Sequence, residues 1–142
     1  MGASSYIYVP TTSHLIADGK PDAHIKIHGF GQNPAAGSWD SIQIRSTTAG
    51  TKLNYCDISD GGGDSVYLGI VYTWLAYLDI NNTTISNSQT TGISIRNTCH
   101  ITCANASTVT FSGISNNDVV YDATSIGSWV SITLASYPYL NL

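Results

Sequence analysis

The feature that most constrains this 142-residue chain is a six-residue pattern, apolar-x-apolar-x-x-apolar, that keeps returning. It opens at Ile25, reading Ile25-Lys26-Ile27-His28-Gly29-Phe30, and again at Leu53, reading Leu53-Asn54-Tyr55-Cys56-Asp57-Ile58. Further copies open at Ile80, Val109 and Ile132. Three copies extend alike, as Ile58-Ser59-Asp60, Ile85-Ser86-Asn87 and Ile114-Ser115-Asn116. A repeat of roughly 27 residues is one structural unit that buries its apolar face only by stacking on its neighbours.

A second short segment follows each of the first four copies: Ile42-Gln43-Ile44-Arg45, Ile70-Val71-Tyr72-Thr73, Ile93-Ser94-Ile95-Arg96 and Val119-Val120-Tyr121-Asp122. These alternate apolar and polar at period two, the signature of strands. No stretch carries a sustained 3.6-residue stripe, so no long helix is expected. A sandwich also uses short strands and polar turns, but it does not require matching residues at a fixed interval. A coil does, because equivalent residues then stack in columns about 4.8 Å apart. This register puts Ile25, Leu53, Ile80 and Val109 in one inward column, and Asn82 in the next with Ile27, Tyr55 and Phe111. It sets Lys52 beside Asp79 and Arg96 beside Asp122. Arg45 and Arg96 share an outward column with Thr73 between them.

Composition narrows the function. Only 10% of residues are charged and the net charge is −4, with no basic tract. A sequence-general nucleic-acid binder needs phosphate-neutralising cations, so no nucleic-acid partner is expected. No apolar run approaches the ~18 residues of a membrane span. Met1-Gly2-Ala3-Ser4-Ser5 has neither the basic nor the apolar region of a signal peptide. Cys56, Cys99 and Cys103 make an odd count, and the last two stand too far apart along a strand to bridge. They read as small buried apolar residues.

Gly37-Ser38-Trp39-Asp40-Ser41-Ile42-Gln43-Ile44 followed by Leu53-Asn54-Tyr55-Cys56-Asp57-Ile58-Ser59 resembles the right-handed parallel β-helix proteins of the pectate-lyase-like superfamily. So does Ile80-Asn81-Asn82-Thr83-Thr84-Ile85-Ser86-Asn87-Ser88 followed by Thr91-Gly92-Ile93. The likeness covers residues 24–137. It implies an all-β chain, a right-handed parallel β-helix (solenoid) of about four to five rungs. Residues 1–142 are then one domain, with 1–23 as an N-terminal cap or partial rung, 24–137 as the rungs and 138–142 as a tail. The resemblance also implies a secreted or cell-surface protein that handles carbohydrate. Catalytic members are longer, with side loops that build a cleft, so a short chain favours a non-catalytic binding module or surface scaffold. A small polysaccharide lyase or glycoside hydrolase and a self-assembling structural subunit are the alternatives.

The aromatic residues Trp39, Tyr67, Trp74 and Tyr77 are the candidate sugar platform, because exposed flat rings suit the CH faces of sugars. Asp57, Asp60 and Asp64, around Gly61-Gly62-Gly63, read as a tight turn or as a calcium site. No other cofactor is indicated. Arg45 and Arg96 are an anion-binding candidate for an acidic sugar, or simply solvated surface. The chain has no Glu, so any pair of hydrolytic carboxylates has to come from its nine Asp. His14, His24, His28 and His100 read as surface or turn residues. Thr108-Val109-Thr110 is too short a threonine array for an ice-binding face. Open solenoid ends invite strand pairing, and Tyr137-Pro138-Tyr139-Leu140-Asn141-Leu142 is poor protection, so homo-oligomers or end-to-end association are expected.

Overall fold

The computed structural model describes residues 2, 4–66, 69–122 and 129–142. Its strands come in threes. A first circuit holds β1 (Ile7–Val9), β2 (Ile16–Asp18) and β3 (Ile25–Ile27), and a second holds β4 (Ile42–Ile44), β5 (Lys52–Asn54) and β6 (Cys56–Ser59). The third holds β7 (Val71–Trp74), β8 (Tyr77–Asn81) and β9 (Thr84–Ser88). The fourth holds β10 (Ile93–Arg96), β11 (His100–Thr102) and β12 (Thr110–Ile114). The chain closes with β13 (Val119–Asp122), β14 (Trp129–Ile132) and β15 (Leu140–Asn141). Through β13, every third strand joins the same sheet, and β14 and β15 depart from the rule. The orders are β1-β4-β7-β10-β13-β14, β15-β11-β8-β5-β2 and β12-β9-β6-β3. Within them every strand pair is parallel except β13 with β14. The chain is therefore all-β, with three stacked parallel sheets compatible with a parallel β-helix. Among the described residues no helix is long and apolar enough to cross a membrane.

Inward side chains fill the space between the sheets. Leu53 pairs with Ile80 and Ile58 with Ile85, as the repeat predicts, and all four are fully buried. Ile42, Val71, Ile93 and Val119 form another such column. Fully burying one such side chain stabilises the fold by about 1.5–3 kcal/mol, so these columns are the main cohesive force.

The outer copies of the repeat are corrected by three residues. Ile25 pairs with Cys56 and Ile27 with Ile58, while Phe111 pairs with Ile85. The cause is a corner inside the six-residue pattern. Tyr55 has φ 49° and Asn82 φ 46°, so the chain bends between β5 and β6 and between β8 and β9. Asn82 is thus a corner residue rather than a member of an inward column. Its amide donates to Asn54 Oδ1 at 3.0 Å, and its N–H donates to Thr108 Oγ1 at 3.0 Å. The second strands slip by one: Ile42 pairs with Val71, and Arg96 with Trp74. A one-residue slip exchanges faces, so Thr73 points inward and is fully buried.

Both ends depart from expectation. The 1–23 segment, expected as a cap or partial rung, holds β1 and β2, which complete a circuit with β3. The copy at Ile132 is not a further circuit, because β14 runs antiparallel to β13, with Val119 opposite Ile132 and Asp122 opposite Trp129. A 3₁₀ turn at Leu134–Ser136 then lays Leu134 and Tyr137 over the end of the core, 4% and 3% exposed. The Tyr137 hydroxyl donates to Cys99 O and accepts from Cys99 N–H, each at 3.0 Å. The expected tail continues the five-stranded sheet, with Leu140 opposite Ile101. The apolar C-terminal segment is thus a seal. Replacing Tyr137 with Phe leaves a buried Cys99 N–H without its partner, so urea denaturation should show a loss of about 1–3 kcal/mol.

Candidate functional site

Strand alternation sends Leu53, Leu78, Ile80 and Ile101 inward and leaves Lys52, Tyr77, Asp79, Asn81, His100 and Thr102 on the outer face of the five-stranded sheet. Tyr77 and His100 are paired residues on β8 and β11. Their rings stack with centroids 4.3 Å apart and planes inclined by 15°. Beside them the 47–50 segment stands out from the sheet. It springs from Ser46, whose carbonyl accepts the Tyr77 N–H, and returns at Thr51, whose carbonyl accepts the Asp79 N–H. A cleft of about 250 Å³ lies between this segment and the ring, lined by Ala49, Gly50, Lys52, Tyr77, Asp79 and Thr102 among others. Gly50 has φ 144°, and a Cβ there would fall 2.9 Å from the His14 ring, so this wall of the cleft requires glycine.

The cleft lining carries one base, Lys52, and one acid, Asp79. Lys52 faces Asp79 in the strand register, but its Nζ reaches Asp18 Oδ2 at 3.5 Å. The Asn54 amide donates to Asp18 Oδ1 at 2.8 Å and, with Lys52 adding to the effect, holds that carboxyl below its ordinary pKa. Asn81 donates to Asp79 Oδ1 at 2.8 Å. Both carboxylates are thus oriented by amides, Asp79 in the cleft and Asp18 through its contact with Lys52 beside it.

Of the expected platform residues, Tyr77 stands on this outer face, while Trp39 and Trp74 lie elsewhere. Trp39 is fully buried, and its Nε1–H donates to Ser59 O at 2.7 Å, so it serves the core. Tyr67 lies outside the described residues. Trp74 stands between the two arginines, its ring centroid 4.1 Å from the Arg45 guanidinium carbon and 5.2 Å from that of Arg96. Arg96 Nε lies 3.7 Å from Asp122 Oδ2, which bears out that pairing; the Asp122 side chain is 2% exposed. Trp74, rather than Thr73, separates Arg45 from Arg96, and cation–π contact of this kind is worth roughly 0.5–2 kcal/mol. The stack thus engages these three side chains with one another.

The three calcium candidates do not converge. Asp57 Oδ1 meets His24 Nδ1 at 2.9 Å. Asp60 is 8% exposed and accepts from Ser59 Oγ at 2.8 Å, Asn87 Nδ2 at 2.7 Å and Gly29 N–H at 3.3 Å. Asp64 accepts the Val66 N–H at 2.6 Å. Among the described residues no group of three or more His, Cys or Asp side chains is arranged to hold a metal ion. Asp57 and Asp60 do line a second cleft of about 260 Å³ with Lys26, His28 and Ser59 on the outer face of the four-stranded sheet.

His100 and the 47–50 wall escaped the sequence reading because β11 is only three residues long and falls outside the six-residue pattern. The one available signal was the parallel between Tyr77-Leu78-Asp79 and His100-Ile101-Thr102. Comparison with known proteins returns nothing: no family model, no curated protein and no solved structure matches the chain significantly.

Charge near the glycine turn gives a test of the local electrostatics. Burial, and then the neighbouring Asp64, raise the Asp40 carboxyl above its ordinary pKa. The folded chain therefore binds that proton more tightly than the unfolded chain, and stability falls as pH rises through the carboxylate range. Thermal melts of Asp40→Asn should run above the parent at pH 7 by about 1–3 °C. The difference should vanish in acid, where Asp40 is protonated in both states.

Proposed function

We propose that the three-sheet stack is a right-handed parallel β-helix of four to five rungs, in a non-catalytic module that binds carbohydrate. Successive parallel strands joined through crossovers are right-handed in about 98% of cases, which supports the handedness. One observation carries the ligand: the Tyr77–His100 stack beside a sugar-sized cleft, with Lys52, Asp79 and Thr102 supplying donors and acceptors. Ring faces pack the CH side of a pyranose, while oriented polar groups read its hydroxyls. With Asp18 and Asp79 against Lys52, the site suits neutral or amino sugars and repels uronates. A module of this kind would meet its glycans outside the cell or on its surface.

The second reading is a small polysaccharide lyase or glycoside hydrolase. The His24–Asp57 contact near Lys26 and His28 favours it, because it sets a carboxylate against ionisable nitrogens beside a cleft.

A glycan array carrying neutral, amino and uronic oligosaccharides, probed with and without Ca²⁺, separates the readings. Neutral or amino sugars should bind without Ca²⁺ and without turnover. Tyr77→Ala should weaken that binding at least tenfold, about 1.4 kcal/mol, while leaving the melting temperature nearly unchanged. New reducing ends or unsaturated products that disappear in Asp57→Asn would establish the second reading. Retention of full affinity by Tyr77→Ala would sink the first.

A further inference from the structure

The two ends of the stack are finished differently. At one end β14, the 3₁₀ turn and Tyr137 fold back over the core. At the other, β1, β2 and β3 each stand last in their sheets, with no described strand beyond them. Ile7 N–H donates to Ser41 O and Val9 O accepts from Arg45 N–H, so those two residues face β4. In a parallel ladder the residue between them, Tyr8, then turns its N–H and C=O outward. The same alternation turns the backbone groups of Ile16, Asp18 and Lys26 outward on β2 and β3. Large apolar side chains crowd this end: Phe30 is 85% exposed, Ile16 70%, Tyr6 56% and Tyr8 51%. Ile7 and Ile27 line an open hollow next to Phe30. Free parallel edges beside exposed aromatic groups are the usual setting for strand addition.

We propose that this first-circuit end is an interface for a second copy of the chain, related to the first by a two-fold axis perpendicular to the stack. The sealed end argues against head-to-tail growth, because an antiparallel strand and a 3₁₀ turn occupy the place where a further circuit would continue the sheets. An open end meets its match only in another open end. A two-fold axis across one face of a three-sided stack maps that face onto itself and exchanges the other two. β1 then meets β1 of the second copy in antiparallel pairing, and β2 meets β3. That exchange sets Asp18 on β2 against Lys26 on β3, in both halves of the contact. The corner between those strands carries Lys20 and Asp22, so the surface has equal numbers of each sign and meets itself without net repulsion. Self-complementarity of this kind is what an isologous interface requires.

Sedimentation equilibrium on the full chain should give twice the 15.1 kDa chain mass at micromolar concentration. Ile16→Ser with Phe30→Ser, both highly exposed in one chain, should raise the dissociation constant at least tenfold without lowering the melting temperature. Spin labels define the geometry, since the native thiols are buried. Labels on Lys20→Cys should lie close together across the dimer, and labels on Val130→Cys, on the sealed end, far apart. A single chain at every concentration would overturn the proposal. So would open-ended polymers, short Val130→Cys distances, or a dimer indifferent to the double substitution. Glycan binding is scored separately with Tyr77→Ala on β8, two strands in from the β2 edge, so either reading can fail without the other.

Discussion

Stacking depends on turning corners alike from one circuit to the next, most closely in the middle of the chain. The backbone does this with single residues in the left-handed region: Asp60 at φ 67°, Asn87 at 50° and Gly113 at 62° occupy one column at the ends of β6 and β9 and within β12. Leu75 and Asn97 repeat the device after β7 and β10, and Tyr55 and Asn82 between the other sheets. Asp, Asn and Gly accept this conformation at least cost, and the Asn87 amide closes on Asp60 across the step. Because each of these bends turns on one residue, the strands that follow remain aligned and the inward isoleucines meet. The hydrophobic columns provide the energy, but the corners decide which residues share a column.

This explains what could be read from the chain beforehand. Ile58-Ser59-Asp60 and Ile85-Ser86-Asn87 are a strand end plus its left-handed corner, which is why the likeness went beyond hydrophobicity. The middle circuits have one-residue corners after Asn54 and Asn81, so Leu53 and Ile80 aligned correctly. The first circuit spends residues 19–24 on the same corner, and the apparent match at Ile25 slipped by three. At Ile132 the pattern is met by an antiparallel strand and a 3₁₀ turn, and alternation at period two does not encode strand direction. The aromatic residues were ambiguous for another reason. Trp39 shortly precedes β4 and Tyr77 opens β8, and only the three-dimensional path puts one beneath the 59–61 backbone and the other beside an open cleft.

The outward faces of the three sheets differ. The six-stranded sheet buries even its outward Gln43, Tyr72 and Ser94, and locks Trp74 between Arg45 and Arg96. The five-stranded sheet keeps Tyr77, Lys52 and Asp79 accessible beside a projecting wall. The four-stranded sheet carries the His24–Asp57 contact below and hydroxyls above, with Thr84 and Thr110 Oγ1 3.1 Å apart. A scaffold with uniform interior layers can thus present three chemically distinct surfaces, because outward positions are released from packing.

The three thiols carry a last implication. Cys56, in the second circuit, and Cys99 and Cys103, near β11 in the fourth, are buried. Burial raises all three above the ordinary thiol pKa, and only the thiolate attacks alkylating reagents. Their labelling is therefore gated by opening of the layers around them, and two heights of the stack carry built-in reporters. Comparing how fast each sulfur is trapped would reveal whether the circuits unzip from one extremity or part together.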